Sequence, residues 1–374
     1  MNPRVIISGI GVVSPYGVGA EILRENICAG KSAIRKLKHP PTVGAFVDDD
    51  RFTANNKAQQ MALTAASEAW ADANVPANSR TALCCSIGWN EQAETQSLAN
   101  GERRLAEHFN IGGTILSNFS ACAASTQSLG NACRLLTNGD ADFCLAGGAD
   151  SRLHTLGTLG YSLLGALATG WDANPEQASR PFDRDRNGFV MGEGAAFFIL
   201  ERLDQAQQRG AKIYGEILSH AANCDAYRLT DPDPNGDAAA ACIQLALTRA
   251  NLQPAQLDYI NAHGTGTAAN DDAEINALTL ALGDIARQRP ISSCKSMFGH
   301  LSMASGAIEV AASLLALRDG VLPPTLNCDH PAWADFDFVP RQPRKIDARI
   351  FLKNSFGFGG QNACLIVAVS PHSL

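Results

Sequence analysis

Cys122 stands in an unusual setting. In SNFSACAAS, residues 117–125, it is flanked by Ala121, Ala123 and Ala124, with Ser120 and Ser125 just outside. Such small neighbours leave clearance above a sulfur. The thiolate is the reactive form of cysteine, and the start of a helix, with its unpaired N–H groups, is a common place to lower a thiol pKa. The same stretch also suits a small cysteine buried at a tightly packed helix start. Two of the eight histidines lie in Gly-rich segments, His263 in NAHGTGT and His300 in KSMFGHLSMASG. Each follows a strand-like run, where turns tend to present functional side chains. Lys295 lies five residues before His300 and Glu309 nine after it, a pair suited to orienting His300 and tuning its charge, or to being an ordinary ion pair. NSFGFGGQN places Gly357, Gly359 and Gly360 around Phe358. Amides of such a turn suit an oxyanion hole, although a Gly-rich turn is also often only a tight turn.

The elements around these residues are those of a layered α/β protein. Short β-branched runs (RVIISGIGVV, TALCCSIG, DFCLAGGAD, GAAFFILERL) alternate with Ala-rich helical stretches (QQMALTAASEAWADANV and CAASTQSLGNACRLLTNGD). The second half repeats the scheme. KIYGEILSHA and LDYINAHGTGT read as strands, MASGAIEVAASLLALRDG as a helix, and RIFLKNSFGFGGQNACLIVAV as a closing strand pair. The segment from SACAAS parallels that from GHLSMASG, predicting two repeats that meet near residues 203–213 around one core. The expected halves are residues 1–205, carrying Cys122, and 206–374, carrying the two histidines.

Of the 374 residues 45% are apolar and 18% charged, enough for a sizeable core without staples. A net charge of −7 argues against general nucleic-acid binding. Eleven cysteines with no C-x-x-C pair argue against a disulfide framework or a zinc site. The first residues lack the uninterrupted apolar stretch of a signal peptide, and no run approaches a membrane span, so a cytoplasmic protein is expected. GIGVVS lacks the third glycine of a dinucleotide fingerprint, so no nucleotide site is assigned.

These segments together resemble the β-ketoacyl-acyl-carrier-protein synthases, condensing enzymes of the thiolase superfamily. The likeness runs nearly end to end, through VIISGIGVVSPYG, SACAAS, LAGGAD, SRPFDRDRNGFVMGEGAA, RGAKIYGEI, CDAYRLTDPDPNG, NAHGTGTAANDDAE, KSMFGHLSMASGAIE, LPPTLN and NSFGFGGQN. The resemblance implies a five-layered α-β-α-β-α fold of two pseudo-repeats, usually dimeric. It implies decarboxylative Claisen condensation of an acyl group held on Cys122 with malonyl-carrier protein, using no metal or redox cofactor. Under it, His263 and His300 promote decarboxylation and stabilise the enolate, and Lys295 and Glu309 support the second histidine. The N–H groups of Cys122 and Phe358 hold the thioester oxygen. Phe356 and Phe358 gate the acyl pocket, and Thr265 and Thr267 bind the phosphopantetheine arm.

Three departures stand out. The chain between CCSIG and SACAAS is contracted where the family usually builds part of its dimer interface and pocket floor. TANNKAQQM lacks the basic run often used to meet the acidic carrier protein, leaving Lys57, with Arg209 and Lys212 as further docking candidates. Gln361 stands where threonine is usual. Such trimming is more typical of type II polyketide or polyene systems than of housekeeping fatty-acid synthesis, and implies a homodimer or a heterodimer with a related subunit. The alternative reading is a non-catalytic chain-length factor, whose relatives commonly lose the nucleophile that is kept here. A thiolase would place a second cysteine in the turn at GFGGQN, whereas Cys364 comes later, in a strand-like run.

Overall fold

The computed structural model describes residues 3–37, 43–52, 56–76, 79–88 and 100–370. Residues 89–99 of the contracted stretch before SACAAS, and part of TANNKAQQM, therefore lie outside the described residues.

The strands that carry the fold are β1 (Val5–Ser14), β2 (Thr81–Ile87), β3 (Ile115–Ser117), β4 (Phe143–Asp150) and β5 (Gly194–Arg202). They are followed by β6 (Gly215–Cys224), β7 (Tyr259–Asn261), β8 (Ile291–Ser292), β9 (Ile350–Gly357) and β10 (Gln361–Val369). Their spatial order is β8-β7-β9-β10-β6-β1-β5-β4-β2-β3. The first half thus runs β1-β5-β4-β2-β3 and the second β6-β10-β9-β7-β8, the same order with each number raised by five. Directions match as well. In each half the first two pairings are antiparallel and the last two parallel. A short antiparallel contact, Val5 with Ile217 through Ile7 with Gly215, joins the halves.

Helix α1 (Lys57–Ala73) covers the outer face of the first half, burying Ala62, Ala65, Ala66 and Ala69. Its alanines let it approach β1 closely. A side chain at Gly11 would come within 1.9 Å of the Ala65 carbonyl oxygen, so the glycines of GIGVVS serve helix–sheet contact. Helices α2 (Ala124–Asn138) and α6 (Ser305–Arg318) form the central layer, sharing one core with the inner faces of both halves. Helices α4 (Asp237–Ala250) and α5 (Ala268–Leu282) cover the far face, and α3 (Thr155–Leu163) lies between β4 and β5 in the chain. The result is a five-layered α-β-α-β-α arrangement. Among the described residues no helix is long and apolar enough to cross a membrane.

The central helices begin alike. A single 3-10 turn, Ala121–Ala123, leads into α2, and another, Ser302–Ala304, leads into α6. Ala121 and Ser302 both have φ of 46°. An alanine or serine rarely adopts the left-handed region, so the same strained turn in both repeats marks a position held by its surroundings. Cys122 follows the strained residue in the first repeat and Met303 does so in the second. The helix starts also touch: a side chain at Gly306 would lie 1.9 Å from Thr126 Oγ1.

Candidate active site

Cys122, His263 and His300 line one cavity of about 230 Å³, reached from three segments far apart in sequence. Thr265, Thr267, Phe356 and Phe358 line it too, as do Tyr161 and Phe189. Cys122 sits on the floor and is only 9% exposed. Burial pushes its thiol up to about 12, with the Lys295 charge pulling the other way. The sulfur lies in the turn ahead of α2, and burial outweighs the nearby charge. Burial therefore works against the lowered pKa expected for a helix start.

His263 follows β7 and is held mainly through its backbone. Its N–H and that of Gly264 donate to Glu274 Oε1 and Oε2 at 2.8 and 2.7 Å. The N–H groups of Thr265 and Gly266 donate to Asp271 Oδ1 at 3.1 and 3.2 Å. Two buried carboxylates one turn apart on α5 thus pin the HGTGT loop. Thr265 and Thr267 join hydroxyls at 2.9 Å on the cavity wall.

His300 is fixed differently. Its backbone bridges the segment before β5, with N–H donation to the Val190 carbonyl at 2.7 Å and acceptance from Gly192 N at 2.9 Å. Its Nδ1 accepts from the N–H of Ser302 at 3.1 Å and lies 2.8 Å from Ser305 Oγ. The two imidazoles meet edge to face, centroids 5.4 Å apart.

Lys295 departs from expectation. It faces His263, not His300: its Nζ is 2.6 Å from the His263 carbonyl oxygen and 3.2 Å from Nδ1. The topology explains this. Strand β8, just before Lys295, pairs in parallel with β7, just before His263, so both chains leave the sheet side by side. Gly299, with φ of 74°, then turns the chain away before His300. The Lys295–Glu309 pair is present at 2.6 Å, and Lys353 Nζ meets the other Glu309 oxygen at 2.6 Å. Lys353 also donates to the Asn354 carbonyl, and Asn354 Nδ2 to Glu274 Oε1 at 3.1 Å. His263 is therefore one member of a closed circuit of buried groups that also includes Lys295, Glu309, Lys353, Asn354 and Glu274. Burial, then Lys295, His300 and Lys353, hold His263 well below the usual imidazole range, while burial, then Lys295 and Lys353, do the same for His300.

The β9–β10 turn reaches the cysteine directly. A side chain at Gly357 would lie 2.9 Å from the Ser120 carbonyl oxygen and 3.0 Å from Cys122 N. Phe356 packs edge-on to His263 at 5.8 Å, and Phe358 lies 6.3 Å from the Tyr161 ring. Gln361 pairs with Gly357 across the turn and sends Nε2 to the Gly359 carbonyl at 3.5 Å. Cys364 is fully buried in β10.

The docking candidates do not gather at the cavity. Lys57 Nζ lies 2.5 Å from Glu193 and 2.9 Å from the Val47 carbonyl, leaving it mostly covered. Arg209 pairs with Glu201 at 2.5 Å and Lys212 with Asp72 at 3.3 Å. Glu201 is at the end of β5 opposite the Gly192–His300 contact, so Arg209 is remote from the mouth. Each is paired with a carboxylate, with Lys212 the most exposed of the three.

Lys353, Asn354, Glu274, Asp271, Ser305 and Tyr161 were given no role from the sequence. Lys353 had a readable signal, a charge inside the strand-like run RIFLKNSFGFG, as Glu309 is a charge inside an apolar helix. Ser305 and Tyr161 had none, because only the fold brings them to the site.

Two matched halves with a central helix pair define a thiolase-like fold, and here a thiol from one half faces two imidazoles from the other. Residues 44–206 match the β-ketoacyl synthase N-terminal domain and residues 214–329 its C-terminal domain. The 3-oxoacyl-[acyl-carrier-protein] synthase 2 of Coxiella burnetii is 35% identical, covering 98% of each chain. The protein of that name from Rhizobium meliloti is 38% identical, over 97% of this chain and 98% of its own. Among solved structures, a type II PKS ketosynthase complex with its acyl-carrier protein, bound to the hexaketide, superposes with a TM-score of 0.92 at 31% identity, covering 99% of this chain and 100% of that one. The ishigamide ketosynthase/chain length factor gives 0.87 at 31% identity with the same coverage. The chain belongs to the β-ketoacyl synthase family.

Proposed function

We propose that this protein is a β-ketoacyl-acyl-carrier-protein synthase in which Cys122 holds an acyl group while His263 and His300 activate malonyl-carrier protein. The observation that carries this reading is the state of the two imidazoles. A backbone N–H only donates, so the Ser302 contact makes His300 Nδ1 an acceptor and puts its proton on Nε2. The Lys295 ammonium likewise donates to His263 Nδ1. Both rings are kept neutral by burial and charge, and both line the cavity. Two Nε2–H donors are thus available to one developing oxyanion, as an enolate requires.

The chemistry has two halves. Cys122 attacks an acyl thioester, its proton leaves with the carrier thiol, and the acyl group is parked on sulfur. Malonyl thioester then loses CO₂, and the enolate carbon attacks the parked carbonyl. A C–C bond forms, the C–S bond to Cys122 breaks, and the returning thiolate regains a proton. The N–H groups of Cys122 and of Phe358 are the pair assigned to hold the carbonyl oxygen, a reading supported by the close approach of neighbouring Gly357 to Cys122 N. Phe356 and Phe358 act as gate, and Thr265 and Thr267 receive the pantetheine arm. No step calls for a metal or redox cofactor. Glu309, shared by Lys295 and Lys353, keeps the lysine ammonium groups in place.

An acyl carrier protein is the partner this chemistry needs. A second chain is the other: Ile115 and Leu116 of edge strand β3 are exposed beside Phe119, and an uncovered apolar edge strand is normally paired. That chain is a copy of this one or a related subunit. The complete thiol and imidazole set speaks against a non-catalytic chain-length factor. Intact-protein mass spectrometry after mixing with an acyl-carrier thioester tests the reading. An acyl adduct on the wild type and none on Cys122→Ala is expected; no adduct on either, with a second subunit supplied as well, overturns it.

A further inference from the structure

Ser305 is the first residue of α6 and is fully buried. Among the described residues its hydroxyl has one hydrogen-bond partner, His300 Nδ1 at 2.8 Å. The Ser302 N–H donates to the same nitrogen at 3.1 Å, so Nδ1 carries no proton and the Ser305 hydroxyl is the donor. Packing alone does not call for this hydroxyl. In the first repeat the equivalent helix, α2, opens after its 3-10 turn with Ala124, which is also fully buried. The hydroxyl is present in the repeat whose helix start meets an imidazole, and absent in the one whose turn carries the thiol.

Two donors on Nδ1 fix the ring and leave its proton on Nε2, toward the cavity that His300 lines. Linked hydrogen bonds also polarise one another, so donation into Nδ1 strengthens the Nε2–H as a donor. We propose that Ser305 is a positioning residue for condensation, holding His300 and strengthening the hydrogen bond its Nε2–H gives the enolate. This rests on the reading of His300 as a donor to the enolate. Acylation of Cys122 puts its developing charge on the acyl carbonyl oxygen, which His300 is not assigned to hold. Ser305 therefore acts on CO₂ release and not on acyl loading.

The test uses Ser305→Ala in the full chain, with its fold checked by thermal melting. CO₂ release from malonyl-carrier protein and Cys122 acylation by an acyl-carrier thioester are measured separately, with a related subunit supplied in parallel. The kcat of CO₂ release is expected to fall about tenfold, the size of a single buried hydrogen bond, with KM for malonyl-carrier protein unchanged. The acylation rate is expected to stay within about twofold of wild type. In ¹⁵N-histidine NMR the His300 Nδ1 resonance should move downfield, as for a nitrogen that accepts less hydrogen bonding. An unchanged kcat, equal slowing of both steps, or an unmoved Nδ1 resonance overturns the inference while leaving the acyl-transfer reading intact. A wild type that neither takes up an acyl group nor releases CO₂ overturns the acyl-transfer reading itself and this inference with it.

Discussion

One lysine between two histidines decides how the residues divide the work. Lys295 touches His263, whereas His300 takes its orientation from Ser302 and Ser305. Replacing Lys295 therefore acts on the first histidine. In Lys295→Met the second-largest cause of His263's lowered pKa is gone, and Glu309 keeps only Lys353. CO₂ release from malonyl-carrier protein is expected to slow about 100-fold, as for loss of one oxyanion donor, with Cys122 acylation affected much less. Equal slowing of both steps contradicts the assignment. The pH dependence follows the same logic. A buried imidazole with a lowered pKa binds no proton in the folded state at a pH where the unfolded chain does. Its stabilisation is therefore complete above about 6.5 and is lost as pH falls below, by about 1.4 kcal/mol per pH unit for each histidine. Wild type should keep His263 neutral below pH 6.5, and in Lys295→Met an NMR titration should show it gaining its proton at higher pH than in wild type.

At the scale of elements, the site depends on two turns held in contact. The β9–β10 turn meets the Ala121–Ala123 turn through Gly357, where an added methyl would press on Cys122 N and on the Ser120 carbonyl. Gly357→Ala must move one turn by a few tenths of an ångström. Acylation of Cys122 is expected to fall about tenfold while thermal stability drops by only about 1–2 kcal/mol; acylation at the wild-type rate contradicts the role of this contact. The sequence made these elements readable to different degrees. The strands and the central helices were legible from period and composition, because a sheet buried on both faces demands continuous apolar runs. Cys122, His263 and His300 were legible as rare residue types in small-residue turns. The partner of Lys295 was not. Distance along the chain favoured His300, five residues on, over His263, and only the parallel pairing of β7 with β8 reverses that. Tyr161 was equally hidden, since no local pattern tells which face of α3 meets a cavity built by other segments. The helix-start argument for a reactive thiol weighed the backbone and omitted burial, which dominates.

At the scale of the molecule, each repeat is incomplete. The first half supplies the thiol, and the second supplies both imidazoles, the lysines and the turn over the cysteine. The duplicated strained turn sets the two halves side by side: the position of Cys122 in one repeat is Met303 in the other, and the histidine of the second repeat, His300, lies three residues earlier. On the proposed reading, the cavity so formed offers one thiol to hold an acyl group and two neutral donors for an enolate. That claim is tested most directly by incubating the full-length protein with acyl- and malonyl-carrier protein, with a related subunit added in parallel, and measuring product mass and CO₂ together. The expected result is a 3-oxoacyl-carrier product two carbons longer than the acyl donor, one CO₂ per product, and no product from Cys122→Ala. Acyl transfer without chain extension, or extension that survives Cys122→Ala, would contradict the account.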